Sequence, residues 1–294
     1  MKKHLSILTI ALLYCVLSVT SANAQTSQST KLTWAPPELV DPITLNITSQ
    51  KRSFKLDKTK DYRLIFKEPL INVRGGLNIT GGHNVVVIGG EIRFDKPGRE
   101  GKALDCRGIY INHNTGTVHI EGVLIHGKAL REGFNIGMFN EETTLQLQNI
   151  RVDTVTGSFE GHHADVVQTW AGPTVLRIDH LTGITGYQGF FLHPVQHKKS
   201  KIAPELFDFR NINLISINKG YLLWQATKFP LTTKNVYVQT DAKRFPALTL
   251  WPKGDPIWKD VILGAPPAGD FVPADVPGME YVSPGYLDEV ASNQ

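Results

Sequence analysis

The chain has 294 residues, 41% hydrophobic and 20% charged. That supplies a core for one or two domains and excludes disorder as the dominant state. Lys and Arg number 31 against 27 Asp and Glu, a formal charge of +4 with no long basic run, which argues against a nucleic-acid partner.

The first elements read as an export signal. Lys2 and Lys3 form a positive start, Leu5 to Val19 an apolar stretch, and Ala22-Asn-Ala24 a small-residue cleavage site. The reading is residues 1–24 as signal peptide, cleaved after Ala24, and a bacterial periplasmic or extracellular protein. No later stretch is apolar for long enough to cross a membrane, so no anchor is expected in the mature chain. Cys106 is then the only cysteine left, so no internal disulfide can form. Residues 25–75 are expected to be an N-terminal cap and first coil.

From residue 76 the chain repeats. Seven blocks align: Gly76-Leu-Asn-Ile-Thr80, Gly108-Ile-Tyr-Ile-Asn112, Gly133-Phe-Asn-Ile-Gly137, Ala164-Asp-Val-Val-Gln168, Gly189-Phe-Phe-Leu-His193, Gly220-Tyr-Leu-Leu-Trp224 and Ala247-Leu-Thr-Leu-Trp251. Each starts small and has an aliphatic fourth residue, predicted to stack as one buried ladder through Ile79, Ile111, Ile136, Val167, Leu192, Leu223 and Leu250. Between blocks lies a second strand family, such as Val85-Val-Val-Ile88 and Val175-Leu-Arg-Ile178. A third follows a polar or Gly step, as at Asn149-Ile-Arg-Val152 and Asn211-Ile-Asn-Leu214. Short strands recurring every 25 to 32 residues predict a parallel β-helix over 76–262, because each repeat can bury its apolar face only against its neighbours. Residues 263–294, rich in Pro and Gly, are read as an irregular tail packed along the rod.

With Gly81-Gly-His-Asn-Val-Val-Val-Ile-Gly-Gly-Glu-Ile92 as an early coil, residues from about 60 to 262 resemble the right-handed parallel β-helix, pectate-lyase-like superfamily. The resemblance implies an all-β, single-stranded right-handed β-helix of about seven coils. It also implies carbohydrate chemistry, often with calcium and with Lys or Arg as base. The chain itself has no dense Asp cluster to hold calcium, so no cofactor is predicted from its residues.

The chemistry is expected on an outward row given by the fifth residues: Thr80, Asn112, Gly137, Gln168, His193, Trp224 and Trp251. Indole rings there would stack on sugars, or would instead be buried beneath the tail. Glu160-Gly-His-His-Ala-Asp165-Val-Val-Gln168-Thr-Trp170 is the densest polar cluster. Asp165 falls in a row otherwise apolar, either as a turn cap or with a raised pKa. The candidate catalytic set is His193, His163, Asp165, Gln168, Tyr187 and Arg131. The candidate substrate contacts are Trp170, Trp224, Trp251 and the basic pair Lys198 and Lys199.

β-Elimination on a uronate needs a group to neutralise the sugar carboxylate, a base and an acid; Arg or Gln, His, and Tyr can fill these roles. The reading is a lyase on an anionic polysaccharide. The alternatives are a glycoside hydrolase using carboxyls among Asp165, Glu160, Glu132 and Asp153, and a non-catalytic carbohydrate-binding or cell-surface structural protein. Zinc held by His162, His163 and His193 is disfavoured, because adjacent strand residues point to opposite sides.

Overall fold

The computed structural model describes residues 31–287, apart from 141, 198–199, 201–202, 219 and 241–248. The signal segment, Lys198, Lys199 and the start of the last block therefore lie outside the described residues. Among those described there is no α-helix, and no helix long and apolar enough to cross a membrane.

Every strand pairing is parallel, and the strands form two sheets that alternate along the chain. The front sheet has eight strands: Ser53–Leu56, Leu77–Gly81, Arg107–Asn112, Glu132–Gly137, Asp165–Ala171, Gln188–Leu192, Leu223–Gln225 and Leu250–Trp251. The back sheet has ten and runs from Ile43–Ile47 to Val261–Leu263. The arrangement fits a parallel β-helix. Parallel sheets of this kind bury apolar residues between them, as in the back ladder Val118, Leu145, Leu176 and Phe207.

The second and third strand families are one. Strands such as Thr144–Val155 and Val175–Thr185 run through both, bent at one left-handed residue. That residue is Gly89, Gly122, Asn149, His180, Asn211 or Asn235, with φ between 50° and 70°. Asn tolerates this conformation because its short amide bonds locally. The Asn235 amide donates to Asn211 Oδ1 at 3.0 Å, so the corner is itself a ladder. The polar or Gly step visible in the sequence is this bend.

The front ladder differs from the sequence expectation. Its inward columns are Leu77, Ile109, Phe134, Val167, Phe190, Leu223 and Leu250, and beside it Ile79, Ile111, Ile136, Thr169, Leu192 and Gln225. Val167 and Leu223 thus pair with phenylalanines rather than with Ile136 and Leu192. The blocks starting at Ala164 and Gly220 slip by two residues, and the last block, through Leu250, slips with them. A two-residue slip keeps every side chain on its own face, so apolar alternation cannot detect it. Val166 and Leu222 then occupy positions where other coils have glycine. A Cβ on Gly133 would lie 2.3 Å from the Val166 carbonyl oxygen, so glycine is needed there, whereas Val166 is housed by a second glycine, Gly183, opposite it. Thr169 and Gln225 tolerate burial because Thr169 Oγ1 accepts the His193 N–H and the Gln225 amide donates to the Phe229 carbonyl.

Both ends of the described chain, at Leu32–Trp34 and Asp270–Tyr286, contact the outer side of the back sheet. Trp34 exchanges two hydrogen bonds with the Gln148 side chain, and Leu32 bridges to Tyr286. The tail crosses the Arg151, Thr182 and Asn213 side chains through Asp270. It ends on buried Glu121, which accepts from the Tyr281 hydroxyl at 2.8 Å and the Tyr286 hydroxyl at 2.7 Å. Burial pushes the Glu121 carboxyl up, but His119, Ser283 and the two tyrosines outweigh it and hold the pKa below the usual range. Gly122 is required: a Cβ there would lie 2.0 Å from the Tyr281 ring. The described part of the tail therefore lies on the back face and not over Trp224 and Trp251; Trp251 is 41% exposed among the described residues.

Candidate functional site

The front sheet presents its outer side chains in register. The central column is Asn78, Tyr110, Asn135, Gln168, Phe191, Trp224 and Trp251. The expected row through Thr80, Asn112, Gly137, Gln168, His193, Trp224 and Trp251 mixes this column with the next. Thr80, Asn112 and Gly137 pair with one another, while Gln168, Trp224 and Trp251 belong with Tyr110 and Asn135. The two-residue slip is again the cause.

It also relocates Asp165. The carboxylate is not in the apolar row but one step earlier, at the strand start. There Arg107 pairs with Glu132, and Asp165 pairs with Gln188. Because Val167 sits beside Phe134, Asp165 stacks beside Glu132. The Asp165 backbone N–H donates to Glu132 Oε2 at 3.2 Å. Both residues are almost wholly buried, and neither Asp165 carboxyl oxygen has a hydrogen-bond partner. Burial raises the Asp165 pKa well above its ordinary value, and the neighbouring Glu132 charge adds to it. Burial also raises Glu132, opposed by His162. Two stacked carboxyls in a dry corner cannot both ionise, and Asp165 holds its proton.

His162 closes the corner, its Nε2 2.5 Å from Glu132 Oε1. The Asn135 amide donates to Glu132 Oε2 at 3.3 Å and to Gln168 Oε1 at 3.2 Å. Arg107 lies over the Tyr110 ring at 4.2 Å from its centroid, and its Nη1 reaches Asn135 Oδ1 at 3.5 Å. Burial lowers the Arg107 pKa, though a guanidinium stays charged, and burial raises Tyr110, which keeps its phenolic proton. Trp170 stands 5.7 Å from Tyr110.

Two loops wall this corner. Residues 97–106 are clamped by Asp105, whose oxygens accept from Arg99 Nε at 2.7 Å and Nη2 at 2.9 Å. Those bonds, with an Arg99 backbone N–H, hold the Asp105 carboxyl far below the usual range. The second loop is 156–163. Between them lies a cleft of about 590 Å³ reached by Lys102, Glu132, His162, Gln168 and Trp170. An adjoining cleft of about 700 Å³ shares Lys102 and His162 and reaches Arg131.

The sequence candidates divide. Gln168 and Trp170 face the cleft, and His163 lines it with its ring tilted against Tyr187, centroids 4.9 Å apart. His162 and His163 diverge: the first bonds Glu132 and the second the Phe159 carbonyl. Tyr187 is buried beneath His163, beside Asp165. The Arg131 Nη1 donates to the Thr156 carbonyl at 2.8 Å and opens on the second cleft. His193 lies beyond Trp170, next to Phe191 at 6.0 Å, with its pKa lowered by burial. Arg107, Tyr110 and Asn135 are not among the sequence candidates; Glu132 enters there only as a hydrolase carboxyl, and His162 only as a histidine that could pair with Asp165 or hold zinc, not as the partner of Glu132. The signal was present, since Arg107, Glu132 and Gln188 each directly precede a block glycine.

The raised Asp165 pKa has a signed consequence. Stability from the buried neutral acid is complete below the unfolded pKa and is lost as pH rises through the folded value. Asp165→Asn stays neutral throughout. Melting temperatures from about pH 4 to pH 8 should therefore fall more for the native protein than for the Asn variant. A difference between the two that stays constant with pH would mean Asp165 is ionised in the fold.

No family model, curated protein or solved structure matches the chain.

Proposed function

We propose that this is an exported polysaccharide lyase that cleaves a uronate-containing glycan on its front face. In this reading the chain winds as a single right-handed β-helix of about seven coils, of the pectate-lyase-like kind. The hand follows the general preference of parallel crossovers. The observation that carries the reading is the corner where Glu132, His162, Arg107 and Tyr110 meet on the one sheet face that the tail leaves open.

Each requirement of β-elimination has a group. Arg107 neutralises the sugar carboxylate and so acidifies the C5 proton. His162 donates Nε2–H to Glu132, which fixes the tautomer and leaves Nδ1 to take that proton. The C5 electron pair forms the C4–C5 double bond as the C4–O bond breaks. Tyr110 gives its proton to the leaving oxygen. Asn135 and Gln168 orient sugar hydroxyls. Calcium would belong to this reading by resemblance only.

Hydrolysis is less well served. It needs two carboxyls on opposite sides of the scissile bond. Glu132 and Asp165 share one side, and Asp105 is tied up by Arg99. The test is incubation with a panel of anionic and neutral glycans. A new band at about 235 nm, from the unsaturated uronide, is the expected result. Reducing ends without that band would replace the lyase with a hydrolase, and tight retention without cleavage would replace it with a binding protein.

A further inference from the structure

The front face is not uniform along its length. Toward the N-terminal strands the side chains around the column are cationic. Arg107, Arg52, Arg74 and Lys51 border one hollow, and Lys102 and Arg99 border the cleft beside it. Arg52 is spent on the carbonyls of Ser49, Arg74 and Gly75, and Arg99 on Asp105. Arg131 is tied to the Thr156 carbonyl; Arg107, paired with Glu132, and Lys102, lining the cleft, are the cations offered to a carboxylate there. Toward the C-terminal strands the same column turns aromatic. Phe191 and Trp224 lie 5.2 Å apart edge to face, Trp224 and Trp251 lie 6.1 Å apart, and Tyr221 packs against both indoles. No member of the column is charged; along it the side chains change from hydrogen-bonding groups flanked by cations to a run of aromatic rings.

Successive members are one strand spacing apart, about 4.8 Å, close to the length of one sugar unit. Cations recognise a carboxylate, whereas indole faces recognise the C–H faces of uncharged rings. We infer that the front face reads a mixed linear glycan with fixed polarity, a uronate over Arg107 and Lys102 and uncharged sugars over Phe191, Trp224 and Trp251. This specificity rests on the proposed lyase reading for its reaction, though not for its binding.

The test uses the full chain carrying His162→Ala, so that binding is read without turnover. Mobility is measured in native gels containing gellan, whose uronates are spaced by uncharged sugars, polygalacturonate, in which every ring is charged, or hydroxyethylcellulose, which has none. Gellan should retard the protein most. Adding Trp224→Ala and Trp251→Ala should weaken gellan binding by roughly tenfold and change polygalacturonate binding by less than about twofold. Adding Arg107→Gln instead should weaken both charged polymers. Trp251→Ala alone, at an exposed strand end, gives the same readout should the double variant melt early.

Equal loss on both charged polymers, no loss on gellan, or no retardation of the His162→Ala protein by gellan overturns the polarity. The 235 nm band of the native chain is scored separately. With the band present and the tryptophan variants unaffected, only the polarity is lost. With the band absent and the gel pattern as expected, only the lyase is lost.

Discussion

Val167→Asp leaves no folded protein. Val167 is fully buried in the middle of the front ladder, stacked between Phe134 and Phe190 on the neighbouring strands. The substitution removes an apolar side chain that contributes roughly 1.5–3 kcal/mol by burial. It also places a carboxyl between two buried phenylalanines, beside a corner that already holds Glu132 and Asp165. Burying an unpaired charge costs several kcal/mol more. The total approaches the whole stability of a typical domain, about 5–15 kcal/mol. Circular dichroism of the variant should show no cooperative melt. A soluble variant melting within a few degrees of the native chain would mean that residue 167 does not face inward and that the register is wrong.

His162→Ala and Glu132→Gln abolish turnover while leaving the fold intact. A positioned acid–base group contributes about 10²–10⁴-fold, and the two residues act on one proton, so the double variant should be little worse than either single one. His162 is at the surface of the cleft, so its loss opens no core cavity. Gln at 132 keeps the shape and the bond to His162 but cannot hold the charge that orients the imidazole. Loss of kcat with a nearly unchanged KM is expected, with an unchanged melting temperature for Glu132→Gln and a lowered one for His162→Ala, which leaves the buried Glu132 carboxyl without its partner. Additive losses would place the two side chains in separate roles. Full activity in either variant would remove that corner from the chemistry.

How much of this was legible in the sequence depends on the periodicity involved. Gly76, Gly108, Gly133 and Gly189 mark true coil positions because the next coil's backbone leaves no room for a Cβ. The polar and glycine steps at Gly89, Asn149 and Asn211 were visible before their left-handed geometry explained them. The seat of Tyr281 and Tyr286 on Glu121 was not legible, because that contact joins residues 160 and 165 positions apart.

The site was less legible. Strand alternation has a period of two, so placing Ala164 and Gly220 as coil starts satisfied the apolar pattern while shifting those coils, and the last one with them, by two residues. That slip put Asp165 in the wrong row and concealed its stacking on Glu132. It also split the aromatic column by separating Trp224 and Trp251 from Phe191 and Tyr110. Burial gives Glu132 its raised pKa, and burial at a corner between two sheets is a tertiary property that residue types do not encode.

The most direct test of the account is a single absorbance trace. The purified native chain is mixed with a uronate-containing glycan and followed at about 235 nm beside the Glu132→Gln protein. A rise with the native chain and a flat line with the variant is the predicted result, with both proteins binding the polymer equally. A rise that survives the loss of Glu132, or cleavage by the native chain that never produces the band, would contradict it.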